Sequence, residues 1–212
     1  MRLLVSIVAA TAVWTACGQG TFEAVEDYDP NNLTPAFRDG TVGAVFGVTN
    51  NITVTALGCF DYLLGPGQGA VEVGLWTSSG TLIASNTITA SSKLFNQSRY
   101  QAVTPVFLVP GQTYHLGAFP TNGTWSGLYI EAPALGGSVV TAPEIALGNS
   151  AQVAGGFASP IEVTNTVGAY YLAPNFEFQN GAPEPSPGLL LTMAGLLFLT
   201  CKKRRSRAPN AA

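Results

Sequence analysis

Positive charge is nearly missing from the centre of this chain. Nine of 212 residues are lysine or arginine, and six of those lie close to the two ends, leaving Arg38, Lys93 and Arg99 between them. Eleven carboxylates share that central stretch, so it carries about −8 although the whole chain carries −3. Nucleic acid and anionic lipid are poor partners for such a surface. Histidine is almost as scarce. His115 stands alone, so any Ser-His-Asp or Cys-His arrangement must use it. On a strand it would share a face with Thr113 and Gly117, where a packed or surface role is the ordinary expectation. Of the three cysteines, Cys17 and Cys201 lie in the apolar ends and Cys59 is alone, which excludes a disulfide framework. Only a cut before Cys17 would leave it to pair with Cys59. Zinc-ligand spacing is missing, and no glycine-rich phosphate loop precedes a helix. No window outside the ends sustains a 3.6-residue apolar period. No catalytic residue is assigned, and no enzyme activity is expected.

What is present is most distinct at the ends. Met1-Arg2 precedes an apolar stretch over 3–13, and the small residues of Ala16-Cys17-Gly18 follow. This order predicts a signal peptide over 1–18, to be handled by the translocon and signal peptidase. Cys17 keeps a lipoprotein reading open, although Trp14 departs from the Leu or Val usual three residues before an acylated cysteine. At the other end, Pro183-Glu184-Pro185 leads into an apolar run from Gly188 to Cys201. The basic cluster Lys202, Lys203, Arg204, Arg205 and Arg207 follows directly. About 14 helical residues span about 21 Å, short of a hydrocarbon core of about 30 Å. Snorkelling basic side chains and local thinning would close the gap. The basic end stays cytoplasmic, which places everything before Pro183 outside.

These three parts in this order, over roughly 182–207, resemble the tail of the PEP-CTERM family of sorted proteins. The resemblance implies recognition by an exosortase, a membrane transpeptidase-like protease, and removal of the tail after export. It also implies a biofilm or exopolysaccharide setting. A plain membrane anchor is the competing reading. Residues 208–212 are expected to be a disordered end.

Between the ends, 19–181 is long enough for one domain with a core. Short runs rich in Val, Ile, Thr and Phe recur with turn signals between them. Strands are predicted over 42–48, 52–62, 71–77, 81–89, 101–109, 113–119 and 170–179, with further short strands after 127. Ile52, Val54 and Ala56 should share one face, and so should Val71, Val73 and Leu75. Ser78-Ser79-Gly80 reads as a hairpin turn, and Pro110-Gly111 as a strand stop. The expected fold is all-β, a single antiparallel, jelly-roll-like β-sandwich. The stretches 74–84 and 106–114 are similar to a bacterial extracellular β-sandwich family of unknown function. That resemblance runs roughly from Thr41 to Tyr129 and implies a secreted setting without an established activity.

Two weaker signals concern ligands. Asp27, Asp29 and Asn31 set oxygens at alternate positions, as the first half of a calcium loop does. Asn32 stands where an EF-hand has glycine and Arg38 where it has its bidentate glutamate, so a solvated acidic segment is the simpler reading. Calcium is the one cofactor considered. Trp76, Trp125 and Tyr129, with Tyr170 and Tyr171, would offer stacking faces to sugar rings, and Trp125 lies in loop-like sequence, although core packing or a chance exposed aromatic is the simpler reading. The leading expectation is a non-enzymatic exported protein with a structural or adhesive module. A module binding extracellular polysaccharide is the second reading and a secreted hydrolase the third. The fold class does not choose among them.

Overall fold

In the computed structural model, residues 20–28, 33–35, 40–64, 69–122, 128–130, 139–163 and 174–181 are described, and structural statements refer to these. The predicted signal peptide and the tail beyond Gly181 lie outside them. About two thirds of the described residues are strand, and none is in an α-helix. No helix among them is long and apolar enough to cross a membrane.

Two antiparallel sheets pack face to face, an arrangement that fits a sandwich. The five-stranded sheet runs β1 (Phe22–Glu23), β15 (Pro174–Asn180), β5 (Ile52–Phe60), β9 (Ser98–Leu108) and β8 (Lys93–Phe95). The six-stranded sheet runs β14 (Glu162–Val163), β13 (Ile145–Val153), β4 (Thr41–Val48), β10 (Thr113–Pro120), β6 (Val71–Thr77) and β7 (Leu82–Ile88). Two small ribbons pair β3 (Leu33–Pro35) with β11 (Leu128–Ile130) and β2 (Val25–Tyr28) with β12 (Val139–Thr141).

The core is built by the period-two alternation of these strands. Val71, Val73 and Leu75 point inward as the sequence predicts, each at most 1 % exposed. Phe46 of one sheet meets Phe176 of the other with ring centroids 5.3 Å apart, and Phe176 in turn lies near Phe178. Burying side chains of this size contributes roughly 1.5–3 kcal/mol each. An apolar cavity of about 20 Å³ remains beside Phe46 and Phe176, too small for a ligand larger than water.

Several expectations are corrected. Ile52, Val54 and Ala56 do not share a face. The register of β15 on β5 pairs Phe178 with Val54 and Glu177 with Ala56, leaving Thr55 as an extra residue. This bulge reverses the alternation, so Leu57 and Cys59 join the core beyond it. Strand β5 stops at Phe60, and a 3₁₀ turn over Asp61–Leu64 buries Leu63 and Leu64. Strand β9 begins three residues earlier than predicted, because Ser98 to Tyr100 pair with both β5 and β8.

The outer face of the six-stranded sheet is not left to water. Between β13 and β14, residues 154–161 fold back over it as a strap. Thr41 Oγ1 donates to the Gly156 carbonyl (3.0 Å) and accepts from the Ala158 amide (3.1 Å). Gly74 and Gly117, directly paired across β6 and β10, leave room for it. A Cβ at Gly74 would lie 2.6 Å from the Phe157 ring, and one at Gly117 3.0 Å from Pro160.

Candidate functional site

Residues with chemical potential fall into three places: beneath the strap, on the outer face of the five-stranded sheet, and along the seam between the sheets.

Beneath the strap lie His115 and Trp76, neighbours across β10 and β6. Trp76 is 3 % exposed, its ring centroid 5.1 Å from that of Phe157. It therefore packs under the strap, the simpler of its two sequence readings, and has no open face for a sugar. His115 is buried, and burial lowers its pKa below the ordinary 6.5, so it is neutral at pH 7. Its Nδ1 lies 3.1 Å from Ser159 Oγ. A serine and a histidine in contact are two parts of a hydrolytic arrangement. Among the described residues no carboxylate hydrogen-bonds to His115. The contact fastens the strap to the sheet. Cys59 belongs to the other sheet and is fully buried, and burial raises its thiol pKa strongly. It is an unreactive core thiol with no route to His115.

The outer face of the five-stranded sheet holds a polar cluster that the sequence did not reveal. Glu23 of β1 and Glu177 of β15 are directly opposite, and both are buried. Glu23 accepts hydrogen bonds from the Tyr100 hydroxyl and from Asn96 Nδ2. The Tyr100 hydroxyl in turn accepts from Asn175 Nδ2 at 2.8 Å. Asn175 is wholly buried and serves as a backbone substitute: its Oδ1 accepts from the Val25 amide (3.0 Å), and its Nδ2 donates to the Val25 carbonyl (2.9 Å). Burial raises the pKa of Glu23, with a further push from the charges of Glu177 and Glu26. The bonds from Tyr100 and Asn96 oppose the rise. Glu177 receives Lys93 Nζ at 3.4 Å, and that ammonium also lies 5.4 Å from the Phe95 ring centroid. Arg99 pairs with Asp61 and donates to the Ser92 carbonyl (2.9 Å). The alternation in Asn175-Phe176-Glu177-Phe178 sets the two polar residues on one face. Nothing local signals that a segment 150 residues earlier covers them.

The seam lies where β7, the edge of the six-stranded sheet, faces β9 beyond the short β8. Asn86 Nδ2 bridges it to the Ala102 carbonyl at 2.9 Å. A groove of about 290 Å³ opens there, lined by Ser85, Asn86 and Thr104 with Ile83, Ala84, Ala102 and Val103. Its size approaches the lower end of small-ligand pockets, roughly 300 Å³.

Of the calcium candidates, Asp27 is exposed and accepts from Gln97 Nε2 (3.3 Å), whereas Asp29 and Asn31 lie outside the described residues. No cluster of three or more His, Cys, Asp or Glu side chains suited to a metal occurs among the described residues. Trp125, Tyr170 and Tyr171, the side chain of Tyr129, the motif Pro183, Glu184 and Pro185, and the basic residues Lys202, Lys203, Arg204, Arg205 and Arg207 also lie outside them.

No curated protein matches the chain. One family model does, a domain of unknown function called DUF4082, over residues 29–172. That span covers most of the chain and both sheets except β1 and β15. The chain therefore belongs to that family.

Proposed function

We propose that this member of the DUF4082 family is an exported, non-catalytic surface or matrix protein, carried by a tail that a sorting protease of the exosortase type removes. The observation that carries the reading is the order of parts beyond Gly181: Pro183-Glu184-Pro185, an apolar run and a basic stop, starting three residues after a folded strand ends. Such an order suits a chain that folds outside the membrane while held to it. The rigid Pro-x-Pro geometry offers a protease a shape to read. A non-catalytic role is supported by how the titratable groups are used. Neutral His115 holds a strap, Cys59 is core, and Glu23 and Glu177 are occupied by Tyr100, Asn96 and Lys93.

The test is the mature C-terminus in a host that has the sorting enzyme. Mass spectrometry should find a chain ending before Gly188, and replacing Pro183, Glu184 and Pro185 with alanine should leave an uncut, membrane-bound form. A wild-type mature protein that retains Arg207 would establish a plain anchor instead.

Carbohydrate binding is the second reading, supported by the groove between β7 and β9 with Ser85, Asn86 and Thr104 on its walls. Glycan-array binding that disappears on Asn86→Ala would support it, and an array without signal would remove it.

A further inference from the structure

The sheet register places both exits from the fold at one end. Strand β1 runs antiparallel to β15, with Phe22 opposite Phe178, so Gly20 enters beside the point where Asn180 leaves. Asn180 is opposite Ile52, and Ile52 is opposite Leu108, which brings the turns at 49–51 and 109–112 to the same end. Pairing of Tyr114 with Thr77 adds the turn at 78–81.

The outgoing chain is held firmly there. The Gly181 amide donates to the Asn51 carbonyl (2.9 Å), and its own carbonyl accepts from Thr53 Oγ1 (2.7 Å). Its φ of 90° turns the chain in a way that glycine tolerates. Six residues, 182–187, separate this pin from the apolar run and reach at most about 20 Å. Another six, 14–19, separate Gly20 from the first apolar stretch.

Charge is distributed to match. The turns at 49–51, 78–81 and 109–112 carry Thr, Asn, Ser, Gln, Val, Pro and Gly without a single ionisable side chain. Glu144 is the one charge at this end among the described residues, and it accepts from Asn180 Nδ2 at 3.1 Å. Asp27, Asp61, Lys93 and Arg99 lie toward the opposite end, where Gln97 donates to Asp27, Arg99 pairs with Asp61 and donates to the Ser92 carbonyl, and Lys93 pairs with Glu177. For a domain of about −8, an anionic bilayer is repulsive overall, and this end, with Glu144 as its one described charge, meets it with little of that repulsion.

We infer that the end formed by the turns 49–51, 78–81 and 109–112 is the membrane-facing end of the domain, seated against a phospholipid surface while the tail is intact. The inference rests on the membrane-tail reading proposed above. In this posture the nine residues of β5 rise from the bilayer surface over roughly 30 Å, with the charged end outermost.

The experiment uses the full chain, purified with its tail intact, in vesicles of phosphatidylglycerol and phosphatidylethanolamine that include a nickel-chelating lipid. Cys17→Ser and Cys201→Ser remove the other labelling sites, and buried Cys59 stays unlabelled. A nitroxide is placed at Asn50→Cys or at Ala90→Cys, one at each end. Headgroup nickel should relax the label at 50 several-fold more than the label at 90. Adding Asn51→Asp, Ser79→Asp and Gln112→Glu to the labelled protein should reduce relaxation at 50 on these vesicles and leave it high on phosphatidylcholine. Equal relaxation at both sites, or more at 90, overturns the orientation and leaves the tail reading standing. A chain that fails to float with the vesicles overturns the tail reading and this inference together.

Discussion

Tyr100→Phe isolates the buried carboxylate network in a single atom. The hydroxyl donates to Glu23 and accepts from Asn175, so its loss deprives both groups of a partner where water does not replace it. A hydrogen bond to a charged group is worth about 1.5–3 kcal/mol and a neutral one about 1 kcal/mol. The loss therefore depends on whether Glu23 is ionised. In the folded protein its pKa is raised above 4.5, mainly by burial. A raised carboxyl pKa means that its contribution to stability is complete below pH 4.5 and is lost as pH rises through the folded value. The Tyr100 bond limits that loss by favouring the charged form. Removing it moves the folded pKa higher, so the damage grows with pH. We expect a cost of about 1 kcal/mol at pH 4 and about 2 kcal/mol at pH 7.5. For a domain of this size that corresponds to a fall in Tm of about 2–4 °C and about 4–8 °C respectively. Thermal melts of wild type and variant at the two pH values, followed by circular dichroism, make the comparison. Equal falls at both would show that the charge on Glu23 does not change in that window, and no fall at all would show that the network holds nothing.

Three further outcomes are expected. Gly58→Ala places a Cβ 2.4 Å from the Tyr100 ring and should cost about 1–3 kcal/mol in denaturant melts, whereas Gly156→Ala, with nothing within 4 Å, should stay within about 0.5 kcal/mol. Thr41→Val removes both bonds to the strap, so the Ala158 amide should exchange with solvent faster, by hydrogen-exchange mass spectrometry, while the sheet amides of β4 stay protected. His115→Gln keeps a partner for Ser159 but does not titrate. Because the folded pKa of His115 lies below 6.5, wild type should lose stability as pH falls from 6.5 through that value, and the variant should lack this component of the acid slope.

Much of the β architecture was legible because its signals are local. Val71, Val73 and Leu75 alternate as a half-buried strand must, and Gly80 and Gly111 adopt positive φ at the two turns that their neighbours announce. The bulge at Thr55 left no such trace, since one unpaired residue changes register without changing composition. Trp76 shows a different limit. Alternation sets it opposite Leu75, on a face that ought to be open, and only Phe157, far along the chain, reveals that the face is covered. Glu23 and Glu177 meet because the first and last strands pair, a contact that no window of sequence contains. The ends of the chain were read from apolar length and charge order, which are properties of sequence itself.

The pairing of first strand with last also decides how the domain would respond to a pull. Force applied between residues 20 and 181 enters two antiparallel neighbours from the same side. It would open them like a zip, with Phe22 and Glu23 first, then the Ala24 amide on the Phe176 carbonyl, then Val25 on Asn175. Only a few bonds resist at any moment. Force applied between residue 181 and the turn at 96–97 runs along the strands and loads the β15–β5 and β5–β9 ladders in shear, where many bonds act together. A tether at the outgoing end and a hold at the far end is thus the arrangement in which this sandwich bears tension. Threaded into a chain through both its exits, the same domain would unravel from its first strand.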